Sequence, residues 1–294
     1  MVNKPGWKEG FMKITDDNNI TRRQFLKLGI AAGALLCLPA PLSRTLAAEG
    51  DEPLLNEIMI RRLLSSEISD PVEFIFCADI HIPFDDRGVF RTIIKRANEL
   101  AVSFVLFGGD CVQVGNTANF RIFLNLLKKF NMPVICAIGN HDTAYDDYSN
   151  QKEWKKRFGA THFLFNVDGI RIIALNNADF AMPEEDYKFL EESLKTDLQK
   201  IIVMHRPANY LNPLYTTPME DKIGRFRALV ENGGVTAVLT GHEHHYGYYE
   251  INGVKYIVSG GAGGKLNTTT ENNYHHFLLI KAGREMFNFI VEKI

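Results

Sequence analysis

The 294-residue sequence is short of several things, and each shortage closes a line of reading. It has no surplus of positive charge: 33 Lys and Arg stand against 35 Asp and Glu, a formal net of −2. Polyanion binding needs a basic footprint, so nucleic-acid polymers are not expected partners. It has only four cysteines, too few and too scattered for a disulfide framework. Cys77, Cys111 and Cys136 lie in or beside apolar strand-like runs, where a thiol acts as a small buried hydrophobe. It has no internal repeat, no low-complexity tract, and no apolar run that reads confidently as a membrane span. What is present is an ordinary globular composition, 46% hydrophobic and 23% charged, enough for a sizeable core.

The nearest thing to a membrane segment stands at the front. Thr21 to Lys27 reads TRRQFLK; an apolar run from Leu28 to Leu38 follows, then Pro39, Pro41 and the small-residue tail TLAAEG. The run is short and rich in Gly and Ala, as the apolar core of a signal peptide is. Arg22–Arg23 with Phe25, Leu26 and Lys27 resembles the twin-arginine export signal. Residues 1–47 are therefore expected to be a signal read by the twin-arginine export machinery and cleaved near Ala47. The mature protein is then expected in the periplasm or on the extracellular face, with no membrane span. An uncleaved anchor is the alternative; a lipoprotein at Cys37 is disfavoured by Leu36, where a small residue is wanted. Removing residues 1–47 takes away seven basic and three acidic residues, leaving 26 against 32, a net of −6.

Residues 48–70 read as a charged approach segment with room for a short helix, and 71–294 as one α/β domain. VEFIFCAD, VSFVLFGGD and MPVICAIGNHD are strand runs, separated by RGVFRTIIKRANELA and TANFRIFLNLLKKF with the apolar period of helices. A helix is predicted around Lys152–Phe158 and another in PEEDYKFLEESLK. Hairpins are predicted to turn at Asp168–Gly169 and Asn252–Gly253. KIIVMH and VTAVLTGH supply two further strands, and two more are expected near His276–Lys281 and Met286–Val291.

Nearly every strand run ends in a residue able to bind a metal. The ends are Asp79-Ile80-His81, Gly109-Asp110, Gly139-Asn140-His141-Asp142, His205 and Gly241-His242-Glu243-His244, which take five of the nine histidines. In doubly wound sheets, ligands bind outside the carboxyl ends of the strands, so distant segments can converge there.

This ordered set, from Asp79 to His244, resembles the calcineurin-like metallophosphoesterase family, and the later SGGAGG fits the same pattern. The resemblance implies two packed mixed β-sheets flanked by helices, a four-layer α/β/β/α sandwich. It implies a hydrolase of phosphate esters, mono- or diesters, small-molecule or lipid. Two divalent transition-metal ions are implied, Mn, Fe or Zn. Asp79, His81 and His244 would hold one ion; Asn140, His205 and His242 the other; Asp110 would bridge them. Such a pair clamps phosphate oxygens and activates a water for in-line attack. His141 would protonate the leaving group as general acid, a role suited to a near-neutral imidazole. Asn140, His141 and Arg206 are the candidate substrate contacts. Purple acid phosphatases, a branch of the family, carry a metal-binding tyrosine where this chain has Gln113, so no coloured Fe(III)–tyrosinate centre is expected.

Other residues are read more plainly. His245 is expected to be exposed, and His275 and His276 structural. Arg206 is expected to be solvated unless it touches phosphate. Asp142 either orients His141 or caps a turn, and GGAGGK is expected to form a flexible loop near the site. Specificity is expected in HIPFDDRG, HDTAYDDYSN and HRPANYLNPLYTTP, whose Tyr145, Tyr148, Tyr210 and Tyr215 either stack on a substrate base or pack the loops. A protein that binds phosphorylated ligands through the same metals without turnover is the alternative to a hydrolase.

Overall fold

The computed structural model describes residues 54–68, 70–85, 88–179, 182–208 and 223–294. The export signal and Tyr210 and Tyr215 lie outside the described residues. The first described element is a helix, α1 (Leu55–Leu64), inside the stretch read as an approach segment. Next come β1 (Val72–Cys77), α2 (Val89–Leu100), β2 (Phe104–Phe107), α3 (Thr117–Leu127), β3 (Val134–Cys136) and α4 (Lys152–Phe158). The second half holds β4 (Phe163–Val167), β5 (Ile170–Ala174), α5 (Glu184–Ser193), β6 (Gln199–Val203), α6 (Ile223–Asn232) and β7 (Val235–Thr240). It finishes with β8 (Tyr246–Ile251), β9 (Val254–Ser259), β10 (His276–Ala282) and β11 (Phe287–Lys293).

These strands form two mixed sheets, ordered β11-β10-β1-β2-β3 and β4-β5-β6-β7-β9-β8. In the first, β1, β2 and β3 run parallel, and β10 joins β1 antiparallel on its other side. In the second, β5, β6, β7 and β9 run parallel, with β4 and β8 as antiparallel edges. Strands buried on both faces read as near-continuous apolar runs; FVLF of β2 is wholly buried, and so is IRIIA of β5, whose one charged residue, Arg171, donates to the Asn166 side chain and the Ser193 carbonyl. Alternation then assigns the faces. Ile75, Cys77, Val105 and Phe107 point to the helix side, packing with Phe90, Phe123 and Phe158 from α2, α3 and α4. Phe104 points the other way and meets Phe165 of β4 edge-on, ring centroids 5.9 Å apart. The outer core of the second sheet is closed by Tyr187 and Leu190 of α5 and Phe226 and Val230 of α6. The sandwich is helices, sheet, sheet, helices.

Local chemistry explains the turns. Both hairpins need two successive residues at positive φ, and Asp168–Gly169 (35° and 85°) and Asn252–Gly253 (50° and 81°) supply them. The edge of β3 is closed by α1: the Asn56 side chain donates to the Cys136 carbonyl at 2.8 Å and accepts from its amide at 3.0 Å. An amide side chain there replaces the missing sheet neighbour, so α1 belongs to the core it covers. The first sheet's parallel strands and β6 and β7 of the second all end at the edge where the functional residues gather.

Candidate metal centre

Asp79 and His81 follow β1, and Asp110 follows β2. Asn140 and His141 lie in a 3₁₀ turn, Asn140–Asp142, after β3. His205 follows β6, and His242 and His244 follow β7. The structure brings the aspartates and histidines among them together, with Asn140 beside His141 in the turn. Donor atoms of Asp79, His81 and His244 lie within 4.8 Å of one another, as do those of Asp110, His205 and His242, and those of His81, Asp110 and His141.

The two buried carboxylates divide their oxygens between backbone and centre. Asp79 Oδ2 accepts from the His242 amide at 2.7 Å, and Asp110 Oδ1 from the His141 amide at 2.8 Å. Their other oxygens face imidazoles. Asp110 Oδ2 is 3.1 Å from His205 Nε2 and 3.5 Å from His81 Nε2. Asp79 Oδ1 is 3.4 Å from His244 Nε2 and 3.7 Å from His81 Nε2. Of the two Asp110 oxygens, Oδ2 is the one turned towards both His205 and His81.

The imidazoles are oriented from behind. Nδ1 of His205 lies 2.9 Å from the Gly108 carbonyl, that of His244 2.7 Å from the Lys265 carbonyl, and that of His81 3.0 Å from Gln113 Oε1. Each acceptor fixes a proton on Nδ1 and leaves the Nε2 lone pair turned inward, as a ligating histidine needs. His242 is reversed: its Nδ1 is 3.2 Å from His205 Nε2, and its Nε2 is 2.9 Å from Arg206 Nη1.

Asp79 Oδ1, Asp110 Oδ2 and Asn140 Oδ1 are buried and have no hydrogen-bond partner. An acceptor stranded in this way costs about 1–3 kcal/mol, and the two carboxylate oxygens face the imidazoles of this one cluster. Anionic and amide oxygens set among imidazole nitrogens form the donor set of Mn, Fe or Zn rather than Ca. The residues fit a divalent transition-metal centre.

Electrostatics point the same way. Burial alone would raise the Asp79 carboxyl, but the neighbouring imidazoles, His244 foremost and then His81 and His205, hold it well below the usual carboxylate range. Asp110 is likewise lowered against its burial, chiefly by His205. Burial would lower the imidazoles; the carboxylates instead lift His205 to about 8 and His244 to about 9. Burial and the charges of His205 and Arg206 push His242 down to about 3. A cation binding here competes with protons for the same nitrogens.

The backbone is strained where it presents these groups. Nine non-glycine residues have positive φ among the described residues, and five are Asp79 (65°), His81 (56°), Asp110 (52°), His242 (72°) and His244 (47°). Asp and His tolerate this region better than most residues, yet each instance costs of order 1–3 kcal/mol. Close approach adds its own demand. A Cβ on Gly139 would run into Asp110 Oδ1, and one on Gly264 would sit 2.6 Å from His81 Cδ2 and 2.8 Å from His244 Cε1.

The fold corrects three further readings and resolves two. Arg206 is not solvated: it is 1% exposed, its Nε donates to the Ala178 carbonyl at 3.3 Å, and its guanidinium lies over the Tyr148 ring at 5.7 Å. His245 is buried rather than exposed, with Nδ1 2.8 Å from the Glu243 carbonyl. The GGAGG stretch is not a loose loop. Gly260–Gly264 are buried, and the Ala262 and Gly264 amides donate to the Ala78 and Asp79 carbonyls. Asp142 is a cap: its carboxylate accepts from the Gly139 and Val112 amides. His275 and His276 bond to the Gly261 and Tyr274 carbonyls, a structural use.

Two contributors escaped the sequence reading. Gln113 was noted only as the absence of a tyrosine; its side chain orients His81, and its carbonyl lies 2.8 Å from His141 Nδ1. Asn177 is wholly buried; its Oδ1 accepts from the His205 and Arg206 amides and its Nδ2 donates to the Arg206 carbonyl. The only trace of it in sequence is a polar pair, Asn176–Asn177, after an apolar strand.

Residues 72–246 match the sequence profile of calcineurin-like phosphoesterases. Solved structures share the fold. A purple acid phosphatase from yellow lupin (Lupinus luteus) aligns at 17% identity over 76% of this chain and 51% of its own, TM-score 0.63. A dimetal phosphatase from Danio rerio aligns at 12% identity over 76% and 96%, TM-score 0.61. GAP50 of Plasmodium, an anchor in the inner membrane complex, aligns at 13% identity over 76% and 89%, TM-score 0.53. This chain thus spans about half the length of the lupin protein. No curated protein sequence matches it. The profile covers well over half of the chain and takes in every strand end of the metal centre, so the chain belongs to the calcineurin-like phosphoesterase family, metal-dependent hydrolases of phosphate esters.

Proposed function

We propose that the chain is an exported hydrolase of small-molecule or lipid phosphate esters working with two divalent ions. Asp79, His81 and His244 would hold one ion and Asn140, His205 and His242 the other, with Asp110 shared between them. The observation that carries this reading is the convergence of two buried carboxylate oxygens with inward-turned imidazole nitrogens. Mn, Fe or Zn held there would supply Lewis-acid stabilisation of phosphoryl charge and a nucleophilic water at neutral pH.

The chain's own residues do the rest. His141 supplies the proton that the leaving oxygen needs. Its Nδ1–H donates to the Gln113 carbonyl at 2.8 Å, which orients the ring and leaves Nε2 as the nitrogen that exchanges a proton with the leaving oxygen. Its amide bond to Asp110 Oδ1 fixes it against the centre. Arg206 brings a buried positive charge beside His242, suited to a phosphate oxygen. Asn177 fixes the backbone that carries both His205 and Arg206.

The test is hydrolysis of nitrophenyl phosphate and bis(nitrophenyl) phosphate by the full-length chain. Turnover is expected that a chelator abolishes and added Mn²⁺ restores. Failure on both esters with each of Mn, Fe and Zn would overturn the reading. Export rests on the Arg22–Arg23 motif; among the described residues no helix is long and apolar enough to cross a membrane. Arg22→Lys with Arg23→Lys is expected to leave the precursor inside the cell. Undiminished processed protein outside the membrane would show that another signal is read.

A further inference from the structure

The centre described above accounts for the phosphate but not for the group attached to it. Three loops lie side by side at its edge. Ile82 bridges to Val112, and the Gln113 amide donates to the Ile82 carbonyl at 2.9 Å, joining the loop after His81 to the loop after Asp110. The Gly115 amide donates to the Thr143 carbonyl at 2.8 Å, joining that middle loop to the one after His141. Each outer loop carries one bare aromatic. Phe84, three residues beyond His81, is 69% exposed, and Tyr145, four beyond His141, is 76% exposed. They are the two most exposed of the seven large hydrophobics on the surface of the described residues.

Single exposed hydrophobics need no explanation. Two that lead that ranking and flank the same site do. Neither ring hangs from slack chain: the Phe84 amide donates to the His81 carbonyl at 2.8 Å, and Tyr145 sits in a turn where the Asp147 amide donates to Ala144 at 3.1 Å. Nor is Tyr145 a packing residue like Tyr148, whose ring lies against the Arg206 guanidinium. An aromatic side chain on an anchored backbone has only two χ angles to fix, so it costs little entropy when it closes on a flat ligand.

We propose that Phe84 and Tyr145 are specificity-determining residues that grip a planar aromatic leaving group, so that the substrates are phosphate esters of nucleoside-like alcohols. This rests on the hydrolase reading above. The charges nearby narrow it further. Asp146 and Asp147 are exposed beside Tyr145, and Asp85 follows Phe84. Acidic neighbours disfavour a polyphosphate tail or an anionic lipid surface and tolerate a neutral base.

Adenosine 5′-monophosphate and ribose 5-phosphate share a primary alkoxide leaving group and differ in the base. Full-length protein is assayed on both, each as the monoester and as its methyl diester. Stacking on an aromatic side chain is worth about 1–3 kcal/mol per base, so the adenosine ester is expected to have a kcat/KM about tenfold to hundredfold higher. Phe84→Ala with Tyr145→Ala is expected to raise KM for the adenosine ester to that of the ribose ester. The kcat, and all constants for the ribose ester, should stay unchanged. Equal kcat/KM for the two esters, or a double variant that weakens both alike, overturns the assignment. Sedimentation of the parent protein with phosphatidylcholine vesicles, lost in the double variant, would also overturn it by giving the rings to a lipid surface. If no ester is turned over at all, the hydrolase reading itself fails, which is a different result.

Discussion

His141→Ala is expected to lower turnover of an alkyl phosphate ester by about 10²–10⁴-fold, the usual worth of a positioned proton donor. The same change should cost distinctly less on a nitrophenyl ester, because nitrophenolate departs without a proton. The asymmetry follows from geometry. Nδ1 of His141 is committed to the Gln113 carbonyl, so its chemistry lies at Nε2. Its backbone amide, which holds Asp110 Oδ1, survives the substitution, so the centre should stay intact. Elemental analysis must therefore show unchanged metal, a necessary control with Asn140 next in the chain. Equal losses on both esters with metal intact would mean that His141 binds phosphate instead of delivering a proton.

The second large effect is expected at Asp110. Its Oδ2 is the atom that faces both His81 and His205, so Asp110→Ala removes an anion from both halves of the centre at once. Metal content should fall for both ions together, and activity with it, by on the order of 10³-fold or more, since metal-based charge stabilisation is worth several kcal/mol. His244→Ala touches the half built on Asp79 and should weaken mainly one ion. Because Asp110→Ala also strips the acceptor from the His141 amide, Asp110→Asn is the companion variant: it keeps an oxygen there but loses the charge. Two full equivalents of metal retained in Asp110→Ala would remove Asp110 from the bridging position.

Which parts of this were legible in sequence depended on the range of the interaction. Hairpins at Asp168–Gly169 and Asn252–Gly253 are decided by two residues' own φ preferences, and the fold has both. The seven ligand candidates were visible because strand ends carry residues that would be costly there without a use. The two-sheet arrangement came from family resemblance; no periodicity says that β10 lies beside β1. The misses share a cause. Arg206, His245 and the GGAGG stretch look polar or flexible one residue at a time, and their burial is set by chain far away in sequence. Arg206 is covered because Tyr148 and Ala178 lie over it, and Gly264 is packed because His81 and His244 leave room only for hydrogen. Asn177 was missed for the same reason: its partners, His205 and Arg206, lie beyond the end of another strand, nearly thirty residues on.

The place of β1, between β2 and β10, sets a timetable for the molecule. One neighbour follows within a helix's length, but the other is made roughly 200 residues later. At a synthesis rate of ~5–20 residues per second, the nascent chain waits roughly 10–40 s with one edge of its central strand unpaired. An open apolar edge of this kind is the part of a growing chain most prone to pair with the wrong partner. The Lys265 carbonyl that orients His244 also arrives late, so the ligand cradle cannot close around an ion while most of the chain is being made. The interval before β10 is made is when the central strand has most need of a chaperone.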